Sequence, residues 1–569
     1  MSLGKNQLFY GDNYEVLQKY IKDESVDLVY IDPPFNSKRN YNQIYNNIGN
    51  EDKAQAQAFV DTWSWDDSAN IGYEEIISNK CGFLTSQSID LIIGLEKVLK
   101  RGSLFAYLVS MTLRINEMWR VLKPTGSFYL HCDPTASHYL KLVCDALFTS
   151  RGGDFRNEIT WKRTTAKSNS KTMPHNTDII FFYTKSSEFL FKPSYKDIGE
   201  DYQKSHYRHK DEEGRLFRTD NLIAPGKGYQ YEWNGITKSW RCPKEKMQEY
   251  EDTGRLYYTK SGTAEYIRYL DESKGVMIDN CWIDIKPINS QAKERLGYPT
   301  QKPEALLERI IKASSNEGDT ILDAYCGCGT TVAVAQKLNR NWIGVDITYQ
   351  SISLIIKRLE DTIGKDNLDI NEKPIDQLEK RETHKTTIQL SGVPQDFEGA
   401  IALANKKDDR VRKEFEKWAV LTFSNNRATI NEKKGGDGGI DGIAYIMDLD
   451  QNNKQSIKKI LFSVKSNKNL TPSVIRDLNG TIEREDAAIG YLITLYPMEN
   501  LVKETKKYGV YQNRFHKESI PKIEVITIEE LLQGKRMINS QWSVDVVKSA
   551  VRDWDYKTKQ KSILDEEIN

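Results

Sequence analysis

The sequence has no long apolar run, and its start is not apolar. No stretch of roughly eighteen apolar residues occurs, so no membrane-spanning helix is predicted. Residues 1–5 lack the apolar core of a signal peptide. The seven cysteines are scattered and form no disulfide or zinc pattern, because Cys326 and Cys328 are too close for the usual Cys-x-x-Cys clamp. The simplest expectation is a protein of the reducing cytoplasm without a membrane partner.

Neither sign of charge is in excess. Lysine and arginine together number 81, as do aspartate and glutamate, so the chain lacks the overall basic charge that would favour nucleic acid outright. Basic residues do cluster around Trp161, where they could hold phosphates or form a solvated loop. The cluster consists of Arg156, Lys162, Arg163, Lys167 and Lys171. The length of 569 residues predicts about two to four domains, each large enough for its own core.

A short proline-containing motif follows the apolar run 26–31, which is predicted as a strand. Ligands of open α/β sheets bind at the carboxyl ends of strands. An aspartate there, with a neighbouring carbonyl, can accept both hydrogens of a base amine, whose lone pair then points at a methyl donor. Prolines fix φ and remove backbone donors, and an aromatic ring offers a face to a base turned out of the duplex. The motif is Asp32-Pro33-Pro34-Phe35, and alone it could also be an ordinary strand exit.

A second motif, rich in small residues, follows the predicted strand 320–324. Its glycines allow the main chain to approach a ligand, and a helix beginning near Thr330 would present free N–H groups there. The strand 341–345 leads into Asp346, whose carboxylate can accept hydrogen bonds from a ribose diol. The pattern suits S-adenosylmethionine better than a dinucleotide because it lacks the three-glycine fingerprint, although a tight strand-to-helix turn would also explain it. The motif is Asp323-Ala324-Tyr325-Cys326-Gly327-Cys328-Gly329-Thr330-Thr331.

The order of these motifs resembles the β-group of DNA amino-methyltransferases over roughly residues 5–362. Further segments agree with that family: Phe9-Tyr10-Gly11-Asp12-Asn13, Gly126 to Leu130 followed by His131-Cys132-Asp133-Pro134, and Gly297-Tyr298-Pro299-Thr300-Gln301-Lys302-Pro303. The resemblance implies a Rossmann-like α/β fold, S-adenosylmethionine as the methyl donor and double-stranded DNA as the substrate. An aspartate at position 32 is more typical of adenine-N6 enzymes than of cytosine-N4 enzymes, which commonly carry serine there.

The same resemblance implies roles for individual residues. The catalytic residues would be Asp32, Pro33, Pro34 and Phe35. The donor would be contacted by Asp12, Asn13, Thr300, Gln301, Lys302, Asp323, Tyr325, Cys326, Gly327, Gly329, Thr330, Thr331 and Asp346. The sequence departs from the family at Tyr325 and Cys326, where Pro-Phe is usual, and at Cys328, where Ser or Ala is usual.

Residues 186–296 lack nucleotide-fold periodicity and are rich in tyrosine, tryptophan and glycine. The resemblance implies a target-recognition region here, between a catalytic part over residues 1–185 and a donor-binding part over 297–363. The aromatic residues of this region could equally be local core. Candidate DNA contacts are Arg208, Lys210, Arg215, Arg218, Lys227, Tyr229, Tyr231, Trp233, Lys238 and Arg241.

A charged stretch over residues 364–393 is predicted as a linker or connecting helix. Beyond it, residues 394–535 resemble the Mrr-like branch of the PD-(D/E)xK nucleases, and a C-terminal tail covers 536–569. The resemblance rests on residues 437–442 (Asp-Gly-Gly-Ile-Asp-Gly), on the predicted strand 460–465 and on an upstream helix that carries Glu416. It implies Mg²⁺ at Asp441, a water-positioning Lys465 and an additional acid, Glu416. Ser463 stands where the family usually has Glu or Gln, and the segment could instead be a plain hairpin turn and strand end.

The sequence therefore predicts an α/β methyltransferase acting on a DNA base amine, with adenine N6 favoured, joined to a DNA-cleaving α/β domain as in restriction-modification. Two alternatives stay open: a cytosine-N4 methyltransferase with an inactive DNA-binding domain, and an RNA methyltransferase. A protein-glutamine methyltransferase is disfavoured because Asn would more often replace Asp32 and the donor loop would come first. Whether the chain forms a homodimer is left open.

Overall fold

The computed structural model describes residues 6–34, 39–44, 55–61, 63–80, 82–164, 172–289, 292, 294–296, 298, 300–371, 385–394, 396–405, 409–430, 439–450 and 453–537. Residues 192–279 form one compact unit, and the other described residues form a second. In the part of the chain that is described, no helix is both long and apolar enough to cross a membrane.

The first part of the larger unit alternates between strands and groups of helices. Its strands are β1 (Asn6–Tyr10), β2 (Val26–Ile31), β3 (Arg39–Ile44), β4 (Gln55–Asp61), β5 (Leu122–Cys132), β6 (Asp154–Lys162) and β7 (Thr177–Thr184). Its α-helices are α1 (Asn13–Tyr20), α2 (Asp67–Ser78), α3 (Ser86–Leu99), α4 (Ser103–Val121) and α5 (Ser137–Phe148).

The smaller unit, residues 192–279, consists of short antiparallel strands and two short helices. Its strands are β8 (Tyr195–Lys196), β9 (His209–Lys210), β10 (Leu216–Asn221), β11 (Tyr229–Trp233), β12 (Ile236–Trp240), β13 (Leu256–Tyr258), β14 (Ala264–Tyr269) and β15 (Val276–Met277). Its helices are α6 (Glu200–His206) and α7 (Lys244–Asp252). Leu222, Trp233, Trp240 and Met247 form its small core, so several aromatic side chains of this region are structural.

The chain then returns to the larger unit. The strands here are β16 (Cys281–Trp282), β17 (Thr320–Asp323), β18 (Asn341–Asp346), β19 (Leu368–Asn371) and β20 (Thr386–Ser391). The helices are α8 (Glu304–Ser314), α9 (Thr330–Lys337) and α10 (Tyr349–Ile363).

A ten-stranded sheet organises this part, in the order β16-β6-β7-β5-β2-β17-β18-β1-β20-β19. Neighbouring strands are parallel except for β7, which is antiparallel to both β5 and β6. Strands covered on both faces read as nearly unbroken apolar runs, which is why β2 was recognisable in the sequence. The strands predicted at 26–31, 320–324 and 341–345 are confirmed as β2, β17 and β18.

The segment predicted as a linker, residues 364–393, contributes two strands to this sheet. β20 pairs with β1 and β19 pairs with β20, both in parallel. Ile388 and Leu390 are almost fully buried, and this burial stabilises β20 in the sheet. Residues 372–384 of this segment lie outside the described ranges.

The last part of the larger unit is built on a separate five-stranded sheet in the order β21-β22-β23-β24-β27. The strands of this sheet are β21 (Thr429–Ile430), β22 (Gly442–Leu449), β23 (Gln455–Lys465), β24 (Ala487–Thr494) and β27 (Ile523–Thr527). Two further strands, β25 (Val510–Asn513) and β26 (Glu518–Pro521), pair with each other. Its helices are α11 (Phe397–Ala404), α12 (Asp409–Phe423), α13 (Ser473–Arg484), α14 (Glu499–Thr505) and α15 (Ile528–Leu532). Its core includes Leu461, Ile475, Leu492 and Leu501.

Candidate active site

The two motifs that lie far apart in the sequence end on neighbouring strands. β2 and β17 pair in parallel, with Leu28 opposite Ile321 and Val29 opposite Leu322. Asp32 therefore follows the carboxyl end of one strand, and Asp323 ends the next. Pro33 is buried and Pro34 half-buried, while Phe35 lies outside the described residues. The two motifs therefore meet at the same edge of the sheet.

The Asp32 carboxylate forms an ion pair with the ammonium group of Lys302. Lys302 lies two residues before α8, in the segment that the sequence also assigned to the site. Only 16% of the Asp32 side chain and 11% of the Lys302 side chain are exposed, so water screens this pair weakly. A third stretch of sequence is thus fixed against the first motif.

The candidate donor loop, residues 323–331, is held by its own aspartate. Asp323 accepts hydrogen bonds from the Tyr325 N–H at 3.0 Å and from the Thr331 hydroxyl at 2.5 Å. Burial raises the pKa of Asp323 to about 7. These bonds fix both ends of the loop around the start of α9.

Glycine is required in this loop at two positions. Gly327 and Gly329 have φ values of +48° and +73°, which favour residues without a Cβ atom. A Cβ at Gly329 would lie 2.6 Å from Cγ1 of Ile355, so this glycine also lets α10 pack closely. At Gly327 the nearest atoms to such a Cβ belong to the Tyr298 ring, starting at 3.4 Å. Tyr298 therefore packs against the candidate donor loop.

Asp346 ends β18 beside this loop. Its carboxylate accepts the Gly327 N–H at 2.9 Å through one oxygen and the N–H and hydroxyl of Thr348, each at 2.9 Å, through the other. Burial raises the pKa of Asp346 to about 6, although these hydrogen bonds act in the opposite direction. The next side chain, Ile347, is 54% exposed and offers an apolar surface next to the carboxylate.

Asp12 and Asn13 are engaged in holding the scaffold. Asp12 caps α1 by accepting the Tyr14 N–H at 2.8 Å, and its other oxygen binds the Arg114 guanidinium at 2.7 Å. Asn13 accepts from Arg114 at 2.6 Å and donates to the Ala324 carbonyl at 2.8 Å, which ties α1 to the candidate donor loop. Sequence patterns did not point to Arg114, and the available signal was an arginine in the middle of the largely apolar helix α4, whose other arginine, Arg120, lies in the last turn.

Other residues assigned to donor contact also have partners within the protein. Gln301 accepts the Leu296 N–H at 2.8 Å and donates to the Glu294 carbonyl. The Thr330 hydroxyl lies 3.4 Å from Arg358, a buried residue of α10 that also binds Glu304. Thr300 is half-buried. Cys326 is buried, and its N–H donates to the Val345 carbonyl. Tyr325 is half-buried, and its hydroxyl donates to the Met111 sulfur.

A buried polar network lies on the β5 side of Asp32. The Tyr30 hydroxyl is 2.9 Å from Nδ1 of His131, whose Nε2 is 3.1 Å from the Asp178 carboxylate. Arg163 lies 3.2 Å from the other Asp178 oxygen. Burial of Asp178 opposes its ionisation, but His131, Lys302 and Arg163 together lower its pKa. Two members of the basic cluster around Trp161 are thus ion-paired. Arg163 pairs with Asp178, and Arg156 pairs with Asp154.

Three of the residues assigned to the nuclease site, Asp441, Ser463 and Lys465, lie at one end of the five-stranded sheet. β22 and β23 are antiparallel with Gly442 opposite Phe462, which places Asp441 beside Ser463. The Asp441 carboxylate accepts the Val464 N–H at 2.7 Å, Ser463 is buried, and Lys465 ends β23 half-buried. Glu416 lies on α12, while Asp437 lies outside the described residues. Within the described ranges, no group of three or more His, Cys, Asp or Glu side chains could hold a metal ion.

Several charged residues of the smaller unit pair with one another. Arg215 binds Asp271 at 2.8 Å and Glu272 at 3.0 Å and stacks on the Tyr269 ring. The Tyr231 hydroxyl donates to the Cys242 carbonyl, and the Trp233 indole donates to Tyr258. The candidate DNA contacts that lie exposed are Arg208, Lys210, Lys227, Tyr229, Lys238 and Arg241.

The fold is an α/β fold, and its candidate site lies at the carboxyl ends of adjacent parallel strands, where such folds bind their ligands. The family model described as DNA methylase matches residues 26–357, more than half of the chain, and the one described as restriction endonuclease matches residues 411–533. The chain belongs to the DNA methylase family and carries a restriction endonuclease domain.

Several known proteins are similar to this chain. The type II methyltransferase M.EcaI of Enterobacter cloacae is 28% identical over 261 residues, 44% of this chain and 57% of that protein. The DNA adenine methyltransferase YhdJ of Escherichia coli K12 is 24% identical over 353 residues, 62% of this chain and 82% of that protein. A crystal structure of the M1.HpyAVI complex with SAM matches with 14% identity and a TM-score of 0.27, covering 62% of this chain and 99% of that one. This chain spans 50% to 60% of the length of three of its curated relatives.

Proposed function

We propose that this protein transfers a methyl group from S-adenosylmethionine to the N6 amine of adenine in double-stranded DNA. The observation that carries the proposal is that Asp32, Asp323 and Asp346 lie at the carboxyl ends of three strands, β2, β17 and β18, that are neighbours in the sheet. In a donor bound along the carboxyl ends of β17 and β18, the sulfonium methyl group would lie next to the Asp32 carboxylate.

The chain's own residues would bind and orient both reactants. The Asp346 carboxylate would accept hydrogen bonds from the ribose diol, and Ile347 would lie against the adenine of the donor. Gly327 and Gly329 would let the main chain approach the methionine part. Lys302, already paired with Asp32, would hold the carboxylate in position.

Asp32 and the Pro33 carbonyl would accept the amine hydrogens of the target base. The nitrogen lone pair then forms the new N–CH₃ bond while the sulfur–methyl bond breaks. The displaced amine proton leaves to Asp32 and then to water. General-base assistance of this kind is worth roughly 10²- to 10⁴-fold in rate.

Adenine is proposed over cytosine because position 32 is an aspartate and because YhdJ, a relative, is named as a DNA adenine methyltransferase. The test is to incubate the full chain with tritiated S-adenosylmethionine and, separately, genomic DNA, total RNA and purified protein. Nucleosides from the labelled polymer are then separated by chromatography and mass spectrometry. N6-methyladenine in DNA supports the proposal. N4-methylcytosine in DNA would show that cytosine is the target base instead of adenine. Label confined to RNA or protein overturns the proposal.

For the second domain we propose Mg²⁺-dependent DNA cleavage, supported by the adjacency of Asp441 to the β23 end that carries Lys465. Asp441 would supply one carboxylate ligand, and Lys465 would position the attacking water. The test is to incubate methylated and unmethylated plasmid with the full chain, with and without Mg²⁺. Cutting that requires the metal supports the proposal, and intact plasmid under every condition overturns it. A cytoplasmic location and a homodimer stay predictions.

A further inference from the structure

Helix α12 of the restriction endonuclease domain contacts the turn that follows Asp346 in the candidate donor site. Glu414 lies on α12, inside the region matched by the endonuclease family model, and only 8% of it is exposed. One of its carboxylate oxygens accepts the backbone N–H of Tyr349 at 2.9 Å. The other oxygen pairs with Lys417, one turn further along α12, at 2.9 Å. Both carboxylate oxygens of the buried Glu414 therefore have a partner within the protein.

The acceptor position is the beginning of α10. Tyr349 is the first residue of this helix, and its N–H belongs to the group that finds no partner inside a helix. A carboxylate at that end also meets the positive pole of the helix dipole. Only Ile347 and Thr348 separate this helix start from Asp346, and Thr348 donates two hydrogen bonds to the Asp346 carboxylate. The turn 346–349 is therefore held by Glu414 on one side and shapes the candidate ribose site on the other.

A second contact joins the same two helices. The Thr422 hydroxyl, two turns beyond Glu414 on α12, donates to the Tyr349 hydroxyl at 3.1 Å. The Tyr349 ring is 7% exposed and meets the Tyr10 ring edge-on at 5.8 Å. Tyr10 lies opposite Asp346 in the pairing of β1 with β18. Both ends of Tyr349, backbone and hydroxyl, are thus fixed by one helix of the other domain.

The charges agree with this close arrangement. Burial is the main cause that raises the pKa of Tyr10, and the nearby Glu414, Tyr349 and Asp346 raise it further. Glu414 and Asp346 therefore both lie close enough to Tyr10 to act on the same phenol.

We infer that Glu414 is a positioning residue for the methyl-donor site, supplied by the endonuclease domain. It fixes the start of α10 and, through Thr348, the orientation of Asp346. Donor affinity then depends on how firmly α12 is docked, and by thermodynamic reciprocity a bound donor strengthens that docking. The donor site would in this way report its occupancy to the endonuclease domain. The inference rests on the proposed function, since it takes S-adenosylmethionine as the ligand of Asp346.

The test measures binding of S-adenosylhomocysteine to the full chain by calorimetry. Glu414→Ala is expected to raise the dissociation constant roughly tenfold, since a hydrogen bond to a charged group is lost. Glu414→Gln keeps an acceptor oxygen and should recover part of the affinity. Thr422→Val should raise the constant by a few-fold. In steady-state assays the KM for the donor should rise while kcat at saturating donor and the KM for DNA stay unchanged.

Glu504→Ala is the matched control. Glu504 is also a glutamate of the endonuclease domain, it is 8% exposed, and it pairs with a lysine three residues on, Lys507. It lies on α14, however, and binds nothing at the donor site that the structure describes. This variant is expected to lower thermal stability as Glu414→Ala does while leaving donor affinity unchanged.

Hydrogen exchange supplies the reciprocal measurement. Amides of residues 409–423 should exchange several-fold more slowly in the wild type when S-adenosylhomocysteine is bound, and this protection should disappear in Glu414→Ala. If the wild type binds the ligand but both Glu414 variants bind it equally well and α12 gains no protection, the inference is overturned while the proposed function stands. If the wild type does not bind the ligand at all, the proposed function itself fails.

Discussion

Lys302 and Asp32 form an ion pair although 270 residues separate them in the chain. Each belongs to a different motif, and the pair joins the start of α8 to the end of β2. The proline-containing motif therefore does not form a complete pocket alone. The side chain that holds its carboxylate comes from the segment that follows the smaller unit.

Replacing Asp32 by alanine should lower the rate of methyl transfer by roughly 10²- to 10⁴-fold, because the base amine loses its acceptor. The affinity for S-adenosylhomocysteine should stay within a few-fold, since the proposed role of Asp32 is toward the base and not toward the donor. The measurements are single-turnover transfer of a labelled methyl group and calorimetric binding. Normal turnover in this variant would contradict the assigned role.

Replacing Lys302 by methionine should reduce kcat by about tenfold or more, because a weakly screened carboxylate loses its partner. Lys123→Met is the matched control, because Lys123 pairs at 2.7 Å with Asp27, which lies near the opposite end of β2. That variant should keep kcat and lose at most a little stability. Equal loss of kcat in both variants would show that the Lys302 pair acts only through the general stability of β2.

The strand ends of the site could be predicted from the sequence because β2, β17 and β18 are short apolar runs that end in an aspartate. Local pattern decides both features, so Asp32, Asp323 and Asp346 were found. Other contacts depend on chain segments far away, which no local pattern encodes. Arg114 engages Asp12 and Asn13 from more than a hundred residues away, and Glu414 reaches Tyr349 from another domain.

The two strands within the predicted linker, β19 and β20, could not be recognised in the sequence for a related reason. β20 is short and polar at alternate positions, and its burial arises only when it pairs with β1 at the other end of the sequence. Gln301 shows the same limit at the level of a side chain. Its place in a family motif predicts donor contact, and no local pattern encodes that its amide also fastens residues 294–296.

Donor affinity should depend on pH through Asp346. Its pKa in the folded protein, raised by burial to about 6, lies above the ordinary value of 3.8. The folded state therefore holds this proton more tightly, and the group costs stability as pH rises from about 4 to 6. Binding of a ribose diol needs the ionised form, so the dissociation constant of S-adenosylhomocysteine should rise as pH falls through about 6.

The comparison with Asp346→Asn isolates this effect, because Asp323, with a pKa of about 7, titrates nearby. The variant should bind weakly at every pH and lose the dependence centred near pH 6. Calorimetry in buffers between about pH 5 and 8 measures both proteins. A wild-type affinity that is flat across this range would argue against the ribose role of Asp346.

Replacing Gly329 by alanine should lower stability and donor affinity together. The φ of +73° costs about 1–2 kcal/mol for a residue with a Cβ atom, and the approach of 2.6 Å to Ile355 adds about 1–3 kcal/mol. Gly318→Ala is the control, because Gly318 has a φ of +82° but no atom within 4 Å of the added Cβ. Thermal unfolding should show a clearly larger drop in Tm for Gly329→Ala, and only that variant should weaken donor binding.

Replacing Lys465 by alanine should abolish Mg²⁺-dependent DNA cutting and spare methylation. Lys465 ends β23 two residues beyond Ser463, and in the proposed reaction its ammonium would orient a water beside Asp441. Lys468→Ala is the matched control, because Lys468 is exposed, follows the same strand and rests on the Tyr496 ring at 5.4 Å. Cutting of a plasmid and incorporation of labelled methyl groups are measured on the same preparations. Loss of cutting in both variants would assign the lysines to general DNA attraction, whereas retained cutting in Lys465→Ala would remove Lys465 from the reaction.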